Sequence, residues 1–200
     1  MRRTTTATAA GYTGLALALI LAITGSLLLW GSAYIHNTVH NQLAAQQIYF
    51  PPATAFTHPT ATGEITPAMI PAVSQYAGQQ LLTGQQAEAY ADHFIAIHVA
   101  EMGGGKTYSQ LSAASLAQPA NTKLATLVNT VFKGEALRGM LLNAYGWWKV
   151  SQITYIAALI AYGLTFCAAA TAATALLLAR RTRPATPPTT LTPPAPAHAA

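Results

Sequence analysis

Charge is what this sequence has least of. Charged side chains make up 8% of its 200 residues and hydrophobic ones 52%, against a charged share of about 25% in ordinary soluble domains. No charge occurs from Gly11 to Ile35, and none from Ser151 to Ala179. Each gap exceeds the roughly 20 residues a helix needs to cross a bilayer core. Two transmembrane helices are therefore expected, at 11–35 and 151–179.

Cysteine is nearly absent too. The one cysteine, Cys167, lies within the second apolar run, so the segment between the runs has no disulfide to hold it and must rely on packing. Cys167 itself reads as a small apolar packing residue.

Negative charge is missing from both ends. The acidic residues Glu64, Glu88, Asp92, Glu101 and Glu135 all fall between the runs, where Lys106, Lys123, Lys133, Arg138 and Lys149 balance them. The net charge of +5 therefore resides in Arg2, Arg3, Arg180, Arg181 and Arg183 at the ends. The positive-inside rule then puts 1–10 and 180–200 in the cytoplasm and 36–150 outside a plasma membrane. The basic balance is thus a topology signal and lacks the clustered basic face of a nucleic-acid binder. A cleaved signal peptide ending near Gly31-Ser32-Ala33 is the rival reading of the N-terminus. The apolar run is too long for a typical h-region of about 7–15 residues, and the uncleaved anchor is preferred.

Small residues recur at every fourth position of both runs: Gly14, Ala18, Ala22 and Ser26, then Ala157, Ala161, Thr165, Ala169 and Ala173. Such stripes let helix backbones approach closely, within an antiparallel hairpin or along a homo-oligomer seam. Trp30, Tyr34, Trp147, Trp148 and Tyr155 sit at the outer ends of the runs, as an interfacial aromatic belt does.

Between the runs the pattern is helical. The first helix continues to about Gln47, where Tyr49-Phe50-Pro51-Pro52 ends it. Residues 53–65 read as a loop. Thr66-Pro67 reads as an N-cap with proline at N1, opening a short helix that Pro71 and Gly78 limit. A longer helix is expected over 85–102, a short one over 109–117, and a last one from Asn121 into the second span. The Pro/Thr/Ala-rich segment 184–200 is expected to be disordered. The fold class is therefore mainly α: two antiparallel transmembrane helices with an exported helical domain between them.

The densest chemistry lies in ADHFIAIHVAEMGGGKTYS, residues 91–109. Gly105-Lys106-Thr107 has the ending of a phosphate-binding loop, but the glycine that motif needs at position 100 is Ala100, and a helix, not a strand, precedes it. Nucleotide binding is excluded on that ground. A zinc-protease helix needs HExxH or its inverse, and the second histidine is missing here. His93 and His98 stand about 140° apart on a helical wheel and cannot share an ion, while His36 and His40 lack further ligands. Metals and cofactors are not expected.

On the wheel of 85–102, Ala87, Tyr90, Ala91, Phe94, Ile97 and Met102 form the apolar face, and Glu88, Asp92 and His93 point to solvent. His98 and Glu101 fall within the apolar stripe. On the helix from Asn121, Glu135 and Arg138 share a face with Leu124, Leu127, Val128, Val131, Leu142 and Tyr145. Packing the two stripes together would bury His98, Glu101, Glu135 and Arg138 in one interface, where such charges need partners. Such a cluster either fixes the register of two helices or forms an acid–base pair or ligand pocket.

Three blocks, VHNQLAAQQIYFPP (39–52), YADHFIAIHVAEMGGGKTYSQLS (90–112) and FKGEALRGMLLNAYGWW (132–148), resemble uncharacterised actinobacterial membrane proteins with two spans around an exported helical segment. The likeness covers nearly all of 12–180 and implies a cell-envelope setting. Some members carry the label of aromatic ring-opening dioxygenase subunits. That chemistry needs an iron site of histidines and a carboxylate, which is not legible here, so the likeness transfers architecture and no catalytic residues. The leading expectation is a non-enzymatic envelope interaction or scaffold protein, held in the lipid bilayer and binding an envelope partner or its own copies. The alternatives are an accessory or sensor subunit that binds a small ligand near His98 and Glu101, and, more weakly, an envelope enzyme. Neither span carries the intramembrane charge that marks a transport path.

Overall fold

A computed structural model describes residues 2–61 and 63–181. The expected disordered segment 184–200, with Arg183, lies outside the described residues. The described chain is helical, with a single antiparallel bridge between Tyr49 and Gln80. In order come α1 (Arg2–Gln46), a 3-10 turn (Ala53–Phe56), α2 (Ile70–Val73), a second 3-10 turn (Ser74–Tyr76), α3 (Gly84–Tyr90), a π-helical turn (Ala91–Ile95), α4 (Ala96–Met102), α5 (Tyr108–Ala117) and α6 (Thr122–Arg181). Both α1 and α6 are long and apolar enough to cross a membrane, and their candidate spans are only 11% and 17% buried. That exposure separates them from the core helix of a water-soluble protein, whose apolar surface is covered.

Packing divides the chain into two units, Met1–Thr24 with Ile160–Ala200, and Gly25–Leu159. In the first, Gly11 and Gly14 let α6 come close: a Cβ built on Gly14 would meet the Cβ of Ala172 at 2.9 Å. Ala18, Ala161, Ala172 and Ala179 are buried there. In the second, Ser32 Oγ donates to the carbonyl of Ser151 at 2.7 Å, and both serines are buried. The buried small positions do not follow the expected spacing of four. On α1 they are Gly11, Ala18, Gly25 and Ser32, at intervals of seven; on α6 Ser151, Ala158, Ala172 and Ala179 keep the same spacing, with Ala161 outside it. Sevenfold spacing is the repeat that keeps one seam of a helix against a neighbour.

The larger unit holds the core. Val39 and Leu43 of α1, Ala87, Ile95 and Val99 of the α3–α4 rod, and Val131, Leu141 and Trp148 of α6 enclose Phe50, Met69 and Leu81. Trp148, expected in the aromatic belt, is buried with its indole against the His36 ring, centroids 4.0 Å apart. Trp30, Tyr34, Trp147 and Tyr155 are exposed. Glycine sets how closely the rod meets α6, since a Cβ on Gly84 would collide with Trp148.

Helix ends follow local chemistry. Gln47, at φ 53°, ends α1, and Gln80 Nε2 donates to the Ala44 carbonyl at 2.9 Å. Thr83 and Gln86 form a reciprocal capping box on α3, and Thr107 and Gln110 form one on α5. Thr66 does not act as an N-cap. The helix begins four residues later at Ile70 with Pro71 in its first turn, and the buried Thr66 hydroxyl has no hydrogen-bond partner among the described residues. The last helix runs on from Thr122 to Arg181 without a break.

Candidate functional site

The rod from Gly84 to Met102 is the element that builds the site, and its π-turn decides what faces where. A π-turn closes i→i+5 hydrogen bonds and so accommodates about one residue more than an α-turn. It shifts the wheel beyond it by on the order of 100°. Asp92, expected in solvent, is therefore turned towards α6. Its Oδ1 accepts from Arg138 Nη2 at 2.8 Å and from Arg138 Nε at 3.1 Å. Glu135 Oε2 adds a longer contact to Arg138 Nη1 at 3.5 Å. The hydrogen bond to Asp92 raises the Arg138 pKa; partial burial opposes this, and the charges of Asp92 and Glu135 add to the rise.

The four expected cluster residues thus fall into two groups. Glu135 and Arg138 meet each other and Asp92. His98 and Glu101 instead line a separate, solvent-open depression of about 520 Å3 with Glu64, Gly63 and Met102. None of the four is fully buried, and Glu101 is exposed. His98 Nδ1 lies 2.9 Å from the Phe94 carbonyl one turn back. That contact fixes the ring and, where Nδ1 carries the proton, satisfies it.

A second cavity of about 330 Å3 adjoins the first, and both are lined by His98 and Met102. Its other walls are Tyr90, Phe94 and Val99 on the rod and Gly134 and Leu137 on α6. The rings run as a ladder at intervals of four residues: Phe94 lies 4.7 Å from Tyr90 and 4.6 Å from His98. Phe50 meets the other side of Tyr90 edge-on at 5.3 Å. Burial raises the pKa of the Tyr90 phenol, and the charge of Glu64 raises it further. Glu64 is thus electrostatically linked to both chambers of one cleft.

Sequence reasoning missed Glu64, Asp92 and the aromatic ladder. The spacing of Tyr90, Phe94 and His98 was a usable signal for the ladder. Nothing in a helical wheel announces a π-turn, and Glu64 reaches the cleft from a loop.

The glycines end the helix in this arrangement. Gly104 and Gly105 take φ of 58° and 75°, and the Gly105 N–H donates to the Ala100 carbonyl at 2.8 Å while Gly104 N–H donates to Glu101 at 3.1 Å. Those two bonds form a Schellman C-cap. The Thr107 hydroxyl is taken up capping α5. Among the described residues, no three His, Cys, Asp or Glu side chains come together in a way that could hold a metal ion.

What fold and cleft define is a helical domain continuous with two long apolar helices, bearing an aromatic cleft with an acidic lip. The chain matches no protein-family model, no curated protein and no solved structure.

Proposed function

We propose that this chain is a two-span cell-envelope protein whose outer helical domain is a binding subunit, taking a ligand in the cleft between Glu64, His98 and Glu101. The cleft is the observation that carries this reading. A scaffold that only registers helices has no need of a cavity where His98 and Glu101 lie, and here they line one of about 520 Å3. Small-ligand sites are apolar concavities with a few polar groups converging on them, and the cleft has that composition. The reading therefore favours the accessory or sensor role over the plain scaffold.

The membrane setting has its own support. The uncharged runs, the arginines at both ends and the exposed Trp30, Tyr34, Trp147 and Tyr155 suit a plasma-membrane hairpin with cytoplasmic termini and 36–150 outside. Within each packing unit the contacts of α1 and α6 run in opposite senses, as an antiparallel pair requires: Gly11 with Leu176 and Gly14 with Ala172, then Ser32 with Ser151 and His36 with Trp148. The resemblance of the three blocks supports the actinobacterial envelope.

Two measurements test the reading. In a Cys167→Ser background, a thiol introduced at the exposed Gln118 should react with a membrane-impermeant maleimide in intact cells, and one at Arg181 only after permeabilisation. The reverse pattern would overturn the orientation. Native mass spectrometry of the full chain, released from its own membranes, should show a bound small molecule that is lost in Leu137→Arg. A wild-type chain that carries nothing would sink the binding role.

A further inference from the structure

The chemistry of the cleft wall goes further and specifies a charge and a shape. One chamber has two carboxylates, Glu64 and Glu101, and no lysine or arginine on its wall. On the facing helix, Arg138 is held by Asp92 and Glu135. The adjoining chamber is apolar except for the rims of Tyr90 and His98. Its ring ladder offers an apolar surface along which an aliphatic stem can lie. An anion would meet two negative charges on that wall. A sugar would meet an apolar wall where its hydroxyls need partners.

We propose that the cleft binds a small amphiphilic cation, an alkylammonium whose charged head lies between Glu64 and Glu101 and whose aliphatic stem lies along Phe94 and Leu137. This rests on the binding role proposed above and names its ligand class. A small molecule fits better than a peptide. The chambers, about 520 and 330 Å3, fall within the roughly 300–1,000 Å3 of small-ligand sites. Among the described residues there is also no open sheet edge to pair with a peptide backbone. His98 stands where head and stem meet, since both chambers share it. Its ring is held there by the Phe94 carbonyl contact.

The test uses the full chain in lipid nanodiscs, with empty nanodiscs as the reference for partition into the bilayer. Titration calorimetry compares hexyltrimethylammonium with hexanoate and hexanol, which share the stem and replace the cation. The cation should bind saturably at one site, and raising the salt concentration should weaken it, because the carboxylates are exposed. Glu64→Gln and Glu101→Gln, both at exposed positions, should each weaken it about two- to fivefold, the usual scale for a solvent-facing ion pair. Leu137→Arg should abolish binding. Equal uptake of hexanoate or hexanol, or unchanged affinity in the double Gln variant, overturns the proposal. If the cation fails to bind while native mass spectrometry still finds a small molecule that Leu137→Arg loses, the ligand class is wrong and the binding role stands. If both fail, both are wrong.

Discussion

Arg138 of α6 directs two nitrogens, Nη2 and Nε, at one oxygen of Asp92, at 2.8 and 3.1 Å, across 46 positions of chain. This ion pair ties the π-turn to α6 at the place where a regular helix would have carried Asp92 away. Both side chains are 34% exposed, so the pair belongs with surface rather than buried salt bridges. A double-mutant cycle of Asp92→Ala and Arg138→Ala should give a coupling of about 0.5–1 kcal/mol, the upper part of the range for exposed pairs. The coupling should shrink in high salt. A coupling of zero would mean that the pair contributes nothing to holding the rod.

The same pair shows what could be read from sequence and what could not. The helix stop at the glycines after Met102 was legible because its signal is local. The capping pairs Thr83 with Gln86 and Thr107 with Gln110 are equally local but were missed, and Thr66, expected as an N-cap, is none. The unbroken run of α6 was legible because its apolar pattern never lapses. The partner of Arg138 was not, because the wheel assumes a constant 100° per residue and the π-turn at Ala91–Ile95 breaks that assumption. His98 and Glu101 line one depression, but Glu101 is exposed rather than buried, because what covers that face depends on side chains from a distant loop and from α6. Trp148 was placed by its proximity to the span and is instead core, because Gly84 leaves room for its indole.

That close approach gives a second prediction. Gly84→Ala places a methyl group into Trp148, both residues being buried, and should destabilise the domain by about 1–3 kcal/mol, the usual cost of overpacking. Gly146→Ala, in α6 with nothing within 4 Å of the added carbon, should instead stabilise by about 0.4–1 kcal/mol through the reduced freedom of the unfolded chain. Thermal unfolding midpoints of the two variants should therefore move in opposite directions. A shift of Gly84→Ala in the same direction as Gly146→Ala would contradict the packing.

The glycine–lysine–threonine segment supplies a third. If its role is to end one helix and start the next, Thr107→Ala should cost about 1 kcal/mol by losing the N-cap. Gly104→Ala, at φ 58°, should cost about 1 kcal/mol through the left-handed backbone. Lys106→Met should be close to neutral, since its side chain is exposed and surface substitutions usually fall within about 0.5 kcal/mol. Amide exchange at the start of α5 would report the first change directly. A large effect of Lys106→Met, or protection of this segment by added nucleotide, would revive the phosphate reading.

Tyr90 makes the fold sensitive to alkali. Burial first, and the charge of Glu64 second, raise its pKa above the ordinary phenol value of 10.0. In the unfolded chain the phenol returns to about its ordinary value, so above that pH the unfolded state gives up its proton while the folded state keeps it. The unfolded state then binds fewer protons, and stability falls as pH rises. The contribution is fully present below about pH 10 and is lost as the pH climbs through the raised value in the folded protein. Tyr90→Phe should remove this component, flattening the alkaline limb of the stability curve relative to wild type. Phenolate absorbance should show a late-ionising tyrosine in the wild type that is missing in Tyr90→Phe. Glu64→Gln should bring that late ionisation part of the way down, since it removes the smaller cause and leaves burial in place. The absence of any late-ionising tyrosine would mean that Tyr90 is not buried beside Glu64 in solution.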